Sequence, residues 1–226
     1  MKIEHVVFLG ATAATVAGAV LDNEKVQMVA KPLIAPALAV RVLRRRSNRD
    51  AADTALLLGS LAAATVGDVL MIDPDDDTRL TNGARAFAVM QLGYSAVLAR
   101  RGARPTAPAL VPRLLGWLGA AGLLRARART VAPTLTGYGA ALGTTSTLSA
   151  DPALAPEARV VAGTVVPNGD ARSRLALGGL LFTGSDALIV VRRLFVRGRT
   201  GRRAVEGVVL ASYAAAQALL VEGMTE

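Results

Sequence analysis

Apolar runs of roughly twenty residues, broken by short polar or arginine-rich segments, recur along the whole chain. A helix needs about 20 mainly apolar residues to cross a bilayer, so the pattern predicts an all-α fold: a polytopic transmembrane bundle of about eight spans. They are expected at about Ile3 to Leu21, Val26 to Leu43, Ala51 to Ile72, Gly83 to Ala99, Pro108 to Leu124, Val131 to Ser149, Leu175 to Val191 and Ala204 to Val221. The fifth is the weakest, being short and carrying Pro112 and Arg113; without it seven remain. Lys2 and the small residues Ala17-Gly18-Ala19 imitate a secretory leader, but the rest of the chain is equally membrane-like, so the first run reads as a retained span. Between Asp151 and Arg174 lies a connection punctuated by Pro, Gly and Asp, whose apolar piece, Val160 to Val166, is too short to cross. Residues 1–226 therefore read as a single integral membrane domain, expected in the cell membrane.

Composition agrees with this pattern: 52% of the residues are hydrophobic and the mean hydropathy is +0.42. The apolar mass is Ala, Leu, Val and Gly, which lets helix backbones approach closely. The net charge of +9 would suggest nucleic acid for a soluble protein. Here the arginines cluster between apolar runs and no stacking aromatics accompany them, so they read as membrane-flanking anchors and no nucleic-acid partner is expected. The chain has no cysteine and one histidine, His5, which excludes disulfides, thiolate chemistry and multi-histidine metal sites. Neither a metal nor a cofactor is expected.

Topology is contested by two arguments. Eight spans with a cytoplasmic N-terminus put Arg44 to Arg49 and Arg100 to Arg104 inside and the acidic Asp73 to Asp77 turn outside. They also put Arg125, Arg127, Arg129 and the basic stretch Arg192 to Arg203 outside, and dropping the fifth span repairs the charge rule. Against that, Asp68 and Asp186 stand about five and six residues before the ends of the third and seventh spans. With eight spans those helices run parallel and the carboxyls share a depth; with seven they lie toward opposite faces.

An ionised aspartate in hydrocarbon is costly unless paired, protonated or hydrated, so Asp68 and Asp186 are the candidate catalytic residues, a polar contact between helices being the alternative. Lys31 can pair with a carboxylate, bind a substrate phosphate or snorkel to the interface. Tyr94, Tyr138, Ser185, Tyr213 and Gln217 can orient water, bind a head group or tie helices together. Gly67, Gly178, Gly179 and Gly184 read as close-packing positions, as does the Gly116, Gly119, Gly122 series. Arg113 either snorkels or marks an interfacial segment. A transporter or lipid-binding protein using the same carboxylates is the competing class.

Four motifs in order give the chain a family resemblance. Lys31-Pro32-Leu33, Gly67-Asp68-Val69-Leu70-Met71, the glycine- and phenylalanine-containing run Gly178 to Asp186 ending in Ser185-Asp186, and Tyr213 with Gln217 resemble the signatures of the YhhN (lysoplasmalogenase) family of membrane hydrolases. One departure stands out: around Phe87, Gln91 and Tyr94 that family commonly has Phe-x-x-x-His-x-x-Tyr, and Gln91 takes the histidine position. The Asp151 to Arg174 connection is also longer than usual. The resemblance implies hydrolysis of the vinyl-ether bond of a lysoplasmalogen to a fatty aldehyde and a glycerophospho-base, with a lysophospholipid substrate and membrane lipids as partners and no particular oligomeric state.

Overall fold

Helix starts follow from capping chemistry. In the computed structural model, which describes residues 2–48, 50–73 and 75–226, the side chains of Asn23, Asp50 and Asp76 each accept a backbone N–H of the helix they precede. The helices are α1 (Ile3–Val20), α2 (Glu24–Ala30), α3 (Ile34–Arg44), α4 (Ala51–Leu70), α5 (Asp77–Arg100), α6 (Ala107–Arg127), α7 (Ala132–Leu148), α8 (Leu175–Phe195) and α9 (Arg199–Met224). Pro32 and Pro36 remove two N–H donors one turn apart, and the chain tightens there into a 3₁₀ turn, Lys31–Leu33, that joins α2 to α3 as one bent segment.

Among the described residues eight helical segments result, and six of them, α5 and α7 being the exceptions, are long and apolar enough to cross a membrane. The fold is a polytopic transmembrane helical bundle. The expected fourth span begins six residues early because Asp76 caps it, accepting from Thr78 N and Arg79 N at 2.8 and 2.9 Å. The weak fifth span is a continuous helix, α6, despite Pro112. Large apolar side chains such as Leu9, Val66, Leu92, Leu115 and Val208 stand exposed on outward faces, as a lipid-facing surface requires.

Ion pairs at the helix ends fix the direction of each segment. At one end Glu4 pairs with Arg44 (2.9 Å), Arg100 with Asp50 and Asp53 (2.9 and 2.7 Å) and Arg174 with Glu222 (3.2 Å). At the other, Arg192 pairs with Asp75 (3.1 Å) and Glu206 (3.1 Å), Arg193 with Asp77, Arg202 with Asp75 and Arg203 with Asp22. The Arg203 hydrogen bond holds the Asp22 carboxyl below its usual range. At that same end the Arg127 guanidinium lies over the Phe195 ring, 5.5 Å from its centroid, so α6 ends where α8 ends. The segments alternate in direction, and α4 and α8 are parallel. The parallel course of α4 and α8 is the one that eight spans require, and the basic Arg192 to Arg203 stretch pairs with the acidic turn and with Asp22.

α3, α4, α5, α7, α8, α9 and α1 pack in a closed ring in that order, with α6 against α7. Leu57 and Leu61 of α4, Met90 and Tyr94 of α5 and Leu220 of α9 fill the interior. The connection before α8 forms a small antiparallel hairpin, Val160–Val161 with Thr164–Val165. Its turn residues Ala162 and Gly163 both have positive φ (50° and 74°), as a tight two-residue hairpin turn requires.

Candidate active site

Small residues along one face of α6 leave a space between that helix and α4, α5, α7, α8 and α9. The cavity measures about 530 Å³, within the usual range for a small-ligand site of roughly 300–1,000 Å³. Its walls are mostly apolar, and the polar groups in them are few: Asp68, Asp186, Lys31, Arg113, Tyr138, Tyr213, Glu206 and some hydroxyls. Ala162 and Thr164 of the hairpin and Pro108 of α6 close one end.

Asp68, fully buried near the end of α4, accepts from the Tyr213 hydroxyl at 3.0 Å on Oδ2. Its Oδ1 has no hydrogen-bond partner among the described residues. Tyr213 and Gln217 lie one turn apart on α9, so they share a face. Gln217 Nε2 donates to the Tyr213 oxygen (3.2 Å) while Oε1 accepts from Tyr94 (2.7 Å). Each donor in this chain is committed, which directs the Tyr213 proton at Asp68. Edge-on contacts of the Tyr213 ring with Phe87 and Phe182 (centroids 5.7 and 5.5 Å) hold it in place.

Asp186, in the middle of α8, accepts from the Tyr138 hydroxyl of α7. Phe182 stands one turn before it and packs edge-on against Tyr213, the hydrogen-bond partner of Asp68. The two aspartates open on one cavity from parallel helices, each bonded to its own tyrosine rather than to the other. Counted from the helix ends the two differ: Asp68 is two residues from the end of α4, and Asp186 nine from the end of α8. The difference arises because α8 continues past the apolar stretch, carrying Arg192 and Arg193 to the acidic turn.

Lys31 does not snorkel outward. It is buried at the 3₁₀ bend, lines the cavity and donates to the Met71 carbonyl just beyond Asp68 (2.8 Å). Ser185 also lines the cavity, but its hydroxyl donates to the Val209 carbonyl of α9 (2.9 Å), a tie between helices. Tyr94 and Gln217 stand behind the wall, where they position Tyr213. Gln91 is fully buried beside Tyr138, and neither of its carboxamide atoms has a hydrogen-bond partner among the described residues.

The glycines divide. A Cβ on Gly67 would lie 2.8 Å from the Phe87 ring, one on Gly178 3.1 Å from the Leu220 nitrogen, and one on Gly179 3.1 Å from the Ser146 Cα, so these three are close-packing positions. Gly184, Gly116, Gly119 and Gly122 face open space within 4 Å among the described residues, and the packing role expected for them does not hold. Gly116 instead lines the cavity, with Arg113, Trp117 and Ala120 on the same face of α6. That spacing is the signal in the sequence for Arg113, which reads there as snorkelling or as marking an interfacial segment.

Fold and cavity together define a polytopic helical membrane protein with an internal, carboxyl-bearing chamber. The sequence profile of the YhhN family matches residues 26–224. The chain belongs to that family. No curated protein and no solved structure matches it.

Proposed function

We propose that the protein is a lysoplasmalogenase-like hydrolase of the cell membrane, cleaving the vinyl-ether bond of a lysoplasmenyl-ethanolamine or -choline within this chamber. The observation that carries the reading is the pair Asp68 and Asp186 opening on one largely apolar cavity, each oriented by a tyrosine. Family membership supports it.

Vinyl-ether hydrolysis begins with proton delivery to the alkene carbon remote from oxygen, which leaves an oxocarbenium-like cation at the carbon bearing it. The site must supply an acid, an anion and water. Lys31, at the Asp68 end of the cavity, suits Asp68 to the anionic role. Asp186 is the acid: its proton goes to the alkene carbon, the Asp68 carboxylate faces the cation, and water adds to the cationic carbon while losing a proton to a carboxylate. The hemiacetal collapses to a fatty aldehyde and the glycerol hydroxyl, one water being consumed overall. Paired carboxyls meet an oxocarbenium-like transition state in glycosidases by a similar division of labour.

Fatty-aldehyde release by the purified protein from a lysoplasmenyl substrate tests this, with Asp68→Asn and Asp186→Asn beside the wild type. Each substitution is expected to lower kcat by about 100-fold or more without unfolding the protein, since a positioned acid or base contributes roughly 10²–10⁴. Substantial activity in either variant removes the pair mechanism. A folded wild type that releases no aldehyde moves the reading to a carrier or lipid-binding protein using the same carboxyls.

A further inference from the structure

Arg113 is unused by this chemistry, yet its side chain lies in the cavity wall. It stands about 9 Å along α6 from that helix's start, at 1.5 Å per residue. Nε donates to Ser146 Oγ and Nη1 to the Ala109 carbonyl, both at 2.8 Å. Two of its nitrogens are thereby fixed in direction. The third, Nη2, is buried with no hydrogen-bond partner among the described residues. A cation inside a membrane helix, with a spare donor shielded from water, is costly unless an anion takes that donor. The rigid guanidinium fork matches a phosphate in geometry and charge.

We propose that Arg113 anchors the phosphate of the lysophospholipid substrate and thereby sets which bond reaches the aspartates; this rests on the hydrolase reading. α7 provides the ruler. Ser146, bonded to Arg113, and Tyr138, bonded to Asp186, are eight residues apart on that helix, or about 12 Å at its rise per residue. One glycerol unit between a phosphate and a vinyl ether covers such a span once the hydrogen bonds at each end are included. A phosphate held at Arg113 therefore delivers the vinyl ether to Asp186, with the hydrocarbon chain continuing along the apolar wall toward Ile189 and Val190. Lys31 is less suited to the phosphate, since it is engaged with the Met71 carbonyl at the Asp68 end. Arg113 also borders a second groove of about 440 Å³ between α6 and α7, which gives the amine of the head group an outward path past Thr144.

Two substrates separate the anchor from a structural role: a lysoplasmenyl phospholipid and the corresponding 1-alkenylglycerol without phosphate. Arg113→Met is expected to raise KM for the phospholipid about tenfold or more, with kcat changed less, and to leave turnover of the alkenylglycerol within about twofold. Arg113→Lys is expected to recover part of the loss by restoring charge without the fork. Equal losses on both substrates, or none on either, overturn the anchor.

A binding arm keeps the result independent of hydrolysis. A non-hydrolysable 1-alkyl lysophospholipid is expected to raise the Tm of the detergent-solubilised wild type more than that of Arg113→Met, while 1-alkylglycerol shifts the two equally and inorganic phosphate shifts neither. Stabilisation by inorganic phosphate alone makes this a free-anion site and overturns the lipid assignment. Failed aldehyde release with intact Arg113-dependent lysolipid binding would sink the hydrolase and spare the anchor. Should Arg113→Met fail to fold, Arg113→Lys carries both arms, and unchanged phospholipid KM and binding in that variant count against the proposal.

Discussion

Gln91 and Gln217 are both fully buried in the same bundle and make opposite contributions to it. Gln217 uses both ends of its amide, accepting from Tyr94 and donating to Tyr213. Removing it leaves the buried Tyr94 hydroxyl without its acceptor, at about 1–3 kcal/mol, and takes one of two hydrogen bonds from Tyr213, which keeps Asp68. Gln217→Met is expected to lower stability by that order and to reduce turnover, because Tyr213 loses the contact that aims its proton at Asp68. Gln91 makes no hydrogen bond of normal geometry among the described residues and has Tyr138 as its polar neighbour, so an apolar group of similar size removes at most a weak contact. Gln91→Met is expected to be neutral or stabilising within about 1 kcal/mol. Thermal unfolding of the two variants in detergent decides the comparison, and equal destabilisation would mean that Gln91 is engaged by something other than the protein. The aspartates were legible in the sequence because a carboxyl in an apolar run is conspicuous at any depth. The difference between the two glutamines was not, since it depends on which side chains of distant helices meet them.

At the scale of a helix, periodicity announces the element but not its neighbours, and the glycines beside the aspartates show the consequence. Gly67 precedes Asp68 by one residue and Gly184 precedes Asp186 by two, and both read as packing positions in the sequence. A methyl group on Gly67 would stand 2.8 Å from the Phe87 ring, which itself rests edge-on against Tyr213. Gly67→Ala is therefore expected to cost about 1–3 kcal/mol by overpacking and to impair catalysis by shifting that aromatic pair. At Gly184 the same substitution meets open space, so the gain in helix preference should prevail, at roughly 0.5–1 kcal/mol. Opposite signs of the change in unfolding free energy for Gly67→Ala and Gly184→Ala are the expected result; the same sign for both would contradict this difference in packing. α6 behaves similarly with respect to helix breakers. Pro112 and Arg113 made it look the poorest span, yet Pro112 falls in its second turn and Arg113 bonds inward to Ser146, so the two residues that weakened the hydropathy signal are the ones facing the cavity.

For the whole molecule, the charge rule and the pairing of carboxyls pointed to different span counts, and the ion pairs explain the conflict. The rule counts basic residues loop by loop, whereas here the arginines of the α8–α9 connection are neutralised across the bundle by the α4–α5 and α1–α2 turns, as in Arg192 with Asp75 and Arg203 with Asp22. Partners separated by more than a hundred residues leave no mark in a local window, so only the assembled helices show that this end can carry so many arginines. The span count then rests on whether α6 crosses. Because the chain contains no cysteine, single cysteines report side cleanly. Arg104 and Arg129 are exposed and flank α6, one before its start and one after its end. In sealed, uniformly oriented vesicles, Arg104→Cys and Arg129→Cys are expected to react with a membrane-impermeant maleimide from opposite sides. Labelling from the same side would restore the seven-span arrangement, turn α8 over relative to α4 and separate Asp186 from Asp68, and the shared chamber on which the proposed chemistry depends would be lost with it.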